Sequence, residues 1–301
     1  MSAREPLVSV VLPVLDGADT LPAVVASVLA QTHGRLELLI ADNASTDGTP
    51  EICRALARED RRVVHLRRPE RIGLLANFTT AADAATGDFI RWIGDDDALE
   101  PTYLERALEA FAEDQRRVLV TTQIVYVDAD GTETLDTSHD PRPLSSPDPV
   151  ERFAEMLRLL NAGFAVLDPA YGLMRREVAT MPRRNMLRED QVFAGRLALA
   201  GPWGHVAAPL ARRPRSESTA EHLARMLGVP PWRRHVRAVL QCRELAHWIA
   251  SAPLTPEQRR RAYAEVLRLY AEGKRVKLGR GVAKLGQVRQ AAPAPLRVGR
   301  S

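Results

Sequence analysis

The alternation of short apolar runs with helical-period segments over the first 130 residues constrains the fold more than any other feature of this chain. Residues 7–14, "LVSVVLPV", are β-branched and apolar without a polar face, the pattern of a central strand covered on both sides. "TLPAVVASVLAQ" (20–31) then has helical spacing, "LELLIAD" (36–42) strand character, and "TPEICRALARED" (49–60) a helix with Thr49 as N-cap and Pro50 in its first position. "VVHL" (63–66) reads as a strand, "LLANFTTAADAATG" (74–87) as a helix stopped at Gly87, and "DFIRWIG" (88–94) as a strand. Residues 101–112 read as a helix and "VLVTTQIVYVD" (118–128) as a strand. Strand and helix in strict alternation with short connections predict an α/β fold, an open sheet flanked by helices on both faces.

The rhythm changes after residue 130. Residues 136–149 are rich in Pro, Ser and Asp and read as a loop. "DPVERFAEMLRLL" opens a helix with a capping box of Asp148 and Glu151. Two further helices are predicted over 230–250 and 255–272, the second boxed by Thr255 and Gln258 with Pro256 between. The expected organisation is a main domain over 1–225, a helical extension over 226–272 and a basic tail over 273–301. The net charge of +4 belongs to that tail, which holds eight Lys/Arg and no Asp or Glu. Of the 42 basic side chains 34 then remain against 38 acidic ones, so residues 1–272 carry −4. A body of that charge lacks the basic face that nucleic acid requires. The tail reads as a solvated, disordered end whose charge would also draw it peripherally to anionic lipid headgroups at the inner face of a membrane. Leu278, Val282 and Leu285 share a helical stripe there, but Gly279, Gly281 and Gly286 weaken a helix. Cys53 and Cys242 stand far apart, which fits a reducing, cytoplasmic setting, and no run of about eighteen apolar residues predicts a membrane span.

Three polar clusters follow predicted strands, where ligands gather in open α/β sheets. "ADNASTDGT" holds Asp42 and Asn43 after the second, Arg71 and Gly73 follow the third, and "GDDD" (94–97) follows the fourth. Neither G-x-G-x-x-G after the first strand nor G-x-x-x-x-G-K-[ST] occurs, which argues against a dinucleotide site and a P-loop. Consecutive aspartates after a buried strand suit a hard divalent cation that bridges to substrate phosphates. The plainer readings are a solvated turn at "GDDD", favoured by the dipole of the helix after it, and a run of turn-forming residues at "ADNASTDGT".

Together these segments resemble the family-2 glycosyltransferases. "VSVVLPVLDGADTLPAVVASVLAQTHGRLELLIADNASTDGT" is similar to their N-terminal half, and "RIGLLANFTTAADAATGDFIRWIGDDDALEP" to the segment that leads into their Asp-x-Asp region. "YGLMRREVATMP" with "LREDQVFAGRLALAG" resembles their second half, and the match runs from about residue 7 to about 220. The resemblance implies a GT-A fold, a Rossmann-like open mixed sheet, with inverting transfer from a nucleotide-diphosphate sugar to an acceptor hydroxyl on a glycan, lipid-linked or small molecule. It implies that Pro13 and Leu15 face the nucleotide, that Asp42, Asn43 and Arg71 meet the base or ribose, and that Asp95 sits near the ribose. It also implies that Asp96, with Asp95, serves Mg²⁺ or Mn²⁺ on the diphosphate, and that Asp190 of "RED" is the general base.

Some positions depart from the family pattern. Leu15-Asp16 replaces a frequent Tyr-Asn, Asn43 a frequent aspartate, and Gly94 the first aspartate of the motif. In "RRPRSES", Arg215 stands where many members carry a histidine, and a guanidinium can pair with phosphate directly. Acceptor contacts are expected from loops over 130–175 and 200–225, with Tyr171 and Trp203 able to stack on a sugar or to pack in the core. Two rival classes remain. A sugar nucleotidyltransferase needs a glycine-rich basic loop after the first strand, which "PVLDGADT" lacks. A non-catalytic sugar-binding module would leave Asp190 turned away from the aspartates.

Overall fold

The computed structural model describes residues 4–135, 142–162, 169–215 and 220–290. Residues 136–141 of the loop expected over 136–149, parts of the two acceptor loops and the end of the tail at 291–301 lie outside the described residues. Strands β1 (Val8–Val14), β2 (Leu36–Asp42), β3 (Val63–Arg67) and β4 (Phe89–Trp92) pair in parallel, with β1 between β2 and β4. The sheet continues through β8 (Leu173–Arg175), β6 (Leu119–Val127), β9 (Trp203–Pro214) and β5 (Ala98–Leu99), while β7 (Glu133–Leu135) pairs with β6. β8 runs antiparallel to both β4 and β6, so the sheet is mixed. Strand order reverses at β1, whose successor β2 lies on one side and β4 on the other, and in open α/β sheets ligands bind at the carboxyl ends beside such a reversal.

The absence of alternation in "LVSVVLPV" has a direct structural counterpart. Val8, Val10, Leu12 and Val14 face a core shared with α1 (Leu21–Leu29), α2 (Thr49–Glu59) and α4 (Tyr103–Glu113). Val11 faces the opposite core, with Ile90 and Trp92 of β4 and with α3 (Leu74–Asp83), α5 (Pro149–Ala162) and α7 (Glu189–Ala200).

Two expectations about caps change. Thr49 is the first residue of α2, not its cap, and its hydroxyl accepts the Gly17 N–H at 2.9 Å. Asp148 caps α5 through the Val150 N–H, but Glu151 is bonded to the Ser146 hydroxyl, so that box does not close. The Thr255–Gln258 box is reciprocal, at 3.0 and 3.2 Å.

The C-terminal helices are continuous with the body. Leu245 and Ile249 of α9 (Arg233–Ser251) and Val266 and Leu269 of α10 (Pro256–Gln290) share a core with Phe153, Leu157 and Val192 of α5 and α7. α10 also runs past Gly273 to Gln290, so residues 273–290 are helical where the sequence predicts a disordered tail. Each glycine costs only about 1 kcal/mol against alanine, and a helix already nucleated on a packed face extends until a stronger breaker intervenes. Among the described residues no helix is long and apolar enough to cross a membrane.

Candidate active site

The aspartate run after β4 divides into three environments. Asp97 is buried and held by Arg213 of β9 through two bonds of 2.8 Å. Its burial opposes the charge, but the Arg213 bonds and charge, with help from Arg91, hold its carboxyl below the usual range. It also accepts the Gly94 N–H at 2.9 Å, closing the turn that presents its neighbours. A side chain at Gly94 would crowd Asp96 and Asp97, with a Cβ 3.1 Å from Asp96 Oδ1.

Asp95 and Asp96 are offset only in part, by backbone hydrogen bonds and, for Asp96, by the Arg213 charge. Burial and the charge of Asp96 push the Asp95 carboxyl up, and desolvation and the charge of Asp97 push Asp96 up. Asp95 reaches across to the loop after β1, where a Cβ on Gly17 would lie 3.2 Å from its Oδ2 and 2.7 Å from Val14 Cγ2. The two carboxylates thus stand at the strand-order reversal with their charge only partly offset by protein. Among the described residues no group of three or more His, Cys, Asp or Glu is arranged to hold a metal. The oxygens of Asp95 and Asp96 fit a hard divalent cation that takes its remaining ligands from a bound phosphate and water.

The loops around this point are locked together. Asp16, Gly17 and Ala18 donate their N–H groups to Ser45 Oγ, Thr49 Oγ1 and Asp47, and Asp16 accepts the Thr46 N–H at 2.7 Å. Among the described residues the non-glycine positions with positive φ are Asp16 (53°), Ala44 (59°) and Arg188 (67°). All three lie in segments that carry expected site residues, and strain of this kind gathers where geometry is fixed for function.

Asp42 and Asn43, expected at the base or ribose, are both bonded to other parts of the protein. Asp42 is fully buried, paired with Arg67 at 2.8 Å and bonded to the Ser45 N–H at 2.8 Å. Burial alone would raise its carboxyl, but the Ser45 and His65 hydrogen bonds and the Arg67 charge leave it lowered. The Asn43 amide both donates to and accepts from the Ile72 backbone, each at 2.8 Å, and so fixes the loop that carries exposed Arg71. Pro13 is buried within β1, so its side chain is not exposed to a ligand, whereas Leu15 is half-buried just beyond the strand. Arg215 is paired with Asp128 at 3.0 Å and lies over Tyr126; Arg213, two residues earlier, is the arginine that meets the aspartate run. Sequence reasoning missed Arg213, although strand alternation along "LARRP" could have separated its side from that of its neighbours. The run 203–214, expected as loop, is strand β9, and Trp203 is buried in the core.

"RED" also divides. Glu189 is buried and clasped by Arg183, with one bond of 2.7 Å and a second, shorter one. The Arg183 guanidinium lies 4.3 Å from the Phe193 ring centre and 5.7 Å from that of Trp92. Arg188, left-handed before the first turn of α7, donates to Gln241 of α9 at 2.6 Å. These contacts fix the start of the helix, and Asp190 is exposed from its first turn. Asp190 lines a cavity of about 290 Å³ between α3, α7 and the helix α8 (Ala220–Met226). Trp92, at the end of β4, and Tyr171 line it too. Arg213 stacks 3.9 Å over the Tyr171 ring, so one arginine joins the aspartate turn to the cavity wall.

The comparisons with known proteins agree with this architecture. The profile described as Glycosyl transferase family 2 matches residues 9–180. Glycosyltransferase GlyG of Streptococcus pneumoniae serotype 4 is 28% identical over 125 residues, which is 42% of this chain and 42% of that protein. Hyaluronan synthase of Pasteurella multocida is 33% identical over 129 residues, 43% of this chain and 13% of that one. The chain therefore spans less than half the length of either relative. Among solved structures, S. aureus TarS 1–349 in complex with UDP-GlcNAc superposes with a TM-score of 0.61 at 17% identity, over 87% of this chain and 72% of that one. A mannosyltransferase from Pyrobaculum calidifontis, in complex with GDP-Man and Mn²⁺, gives 0.52 at 16% identity, over 97% and 78%. The fold is that of the GT-A glycosyltransferases.

Proposed function

The chain belongs to glycosyl transferase family 2, and from that premise we propose that it transfers a sugar, with inversion, from a nucleoside-diphosphate sugar to an acceptor hydroxyl in glycan or glycoconjugate assembly. The observation that carries this reading is the Asp95–Asp96 pair at the strand-order reversal, both carboxyls pushed up by burial and like charge, joined through Arg213 and Tyr171 to the cavity that Asp190 lines. Asp96, with Asp95, would hold Mg²⁺ or Mn²⁺, which when bound would offset the diphosphate charge as the bond from the anomeric carbon to the diphosphate breaks. Asp97 would take no part as a ligand, because Arg213 occupies both of its oxygens. Asp95, beside Gly17, would meet the ribose, and Arg71 the base.

Asp190 acts as the general base in this reading. It takes the proton of the acceptor hydroxyl while that oxygen attacks the anomeric carbon on the face opposite the departing diphosphate. Glu189 and Arg183 hold the first turn of α7 so that Asp190 keeps its aim. A non-catalytic sugar-binding module would not need a carboxylate exposed in that cavity, and this favours the enzyme. The test is a thermal-shift series of the chain with UDP-, dTDP- and GDP-sugars, with Mn²⁺ or with EDTA. A donor at 100 times its dissociation constant should stabilise by about 2.7 kcal/mol, and only with the ion. No stabilisation by any of them would contradict the proposal.

A further inference from the structure

The cavity beside Asp190 has largely apolar walls. Its walls include Leu74, Leu75 and Phe78 of α3, Trp92 of β4, and Leu223 and Leu227 at α8. Of its charged groups, Arg183 and Glu189 hold each other and Arg188 donates to Gln241. A sugar ring in this space would bring several hydroxyls to walls with few groups to receive them, and buried hydroxyls left without partners oppose binding. A volume of about 290 Å³ holds roughly one ring-sized group, at the lower end of ligand pockets. The apolar character continues outward along the chain from Leu227. Met226 and Trp232 are exposed, and the Arg233 guanidinium lies 5.8 Å from the Trp232 ring centre.

We propose that this cavity is the acceptor subsite and that it takes a hydroxyl carried on an apolar body, an aryl ring or an alkyl chain, and not a bare oligosaccharide. The assignment rests on the reading of Asp190 as the base: the apolar body fills the space between α3 and α8, and the reacting hydroxyl lies at the carboxylate. Selectivity arises because the walls reject hydroxyl-rich groups, with no need for a specific hydrogen-bond code.

Equilibrium dialysis of the whole chain tests it with four probes: 4-nitrophenyl β-glucoside, octyl β-glucoside below its micellar concentration, methyl β-glucoside and cellotriose. The expected result is that the nitrophenyl or the octyl compound binds at least ten-fold more tightly than the other two. Tight binding of the nitrophenyl compound alone assigns an aryl acceptor, and of the octyl compound alone an alkyl or lipid one. Leu227→Glu should remove the preference; because it could also loosen α8, Leu223→Gln is the milder second variant and should weaken apolar binding several-fold with the melting temperature kept. Equal or tighter binding of cellotriose, or apolar binding that neither variant changes, overturns the proposal. Asp190→Asn separates the two readings, since it should bind the apolar probe as the wild type does. If that variant still transfers sugar, the base assignment fails while the subsite stands.

Discussion

Asp190→Asn slows sugar transfer by about 10²-fold or more while donor affinity stays near that of the wild type. The substitution keeps the size and planarity of the side chain on the first turn of α7 but removes its ability to take a proton. Because Asp190 is exposed to the cavity and Glu189 beneath it carries the buried pairing with Arg183, the helix start should be little disturbed. Glu189→Gln makes the informative contrast. It leaves the Arg183 charge uncompensated in a buried setting, where breaking such a pair costs about 3 kcal/mol or more. Its first effect should therefore be a lower melting temperature, with catalysis impaired through loss of position. Single-turnover kinetics with saturating donor, beside thermal denaturation of both variants, separates the two roles. Near-normal turnover by Asp190→Asn would remove the base assignment.

Asp96→Asn abolishes most metal-dependent donor binding and activity and leaves the fold intact. Asp96 is exposed and sits on a turn whose geometry is set by Asp97, Arg213 and Gly94. The variant also relieves like-charge repulsion within the aspartate run, so its thermal stability without ligand should equal or exceed that of the wild type. Titration calorimetry with a nucleotide sugar and Mn²⁺ measures the loss; EDTA should have the same effect on the wild type. Donor affinity indifferent to both the substitution and the chelator would exclude the metal role.

The N-terminal half of the architecture was legible because apolar pattern and turn chemistry agree there. "LVSVVLPV" has no polar face, and β1 is covered by a core on each side. The second half was less legible. β8 is three residues long and takes its place in the sheet from tertiary pairing with β4 and β6, which no local period encodes. β9 mixes exposed and buried positions and carries register shifts against β6, so "WGHVAAPLARRP" reads as loop. The three aspartates are equivalent as letters, yet Arg213, 116 residues on from Asp97, makes one of them structural. Burial likewise decides which member of Glu189–Asp190 is the pillar and which faces the cavity. The internal bonds of Asp42 and Asn43 were not legible, since their partners Arg67 and Ile72 come from the following strand and loop.

The account rests on one spatial claim, that Asp96 and Asp190 flank a single bound donor. Crystals grown with Mn²⁺ and a nucleotide sugar, with data collected for anomalous scattering from manganese, test it most directly. The predicted result is a manganese peak bonded to an Asp96 carboxylate oxygen and to the donor diphosphate, with the sugar beyond it and Asp190 on the far face of the anomeric carbon. Donor bound with its manganese away from Asp96, or with Asp190 on the same face as the diphosphate, would contradict it.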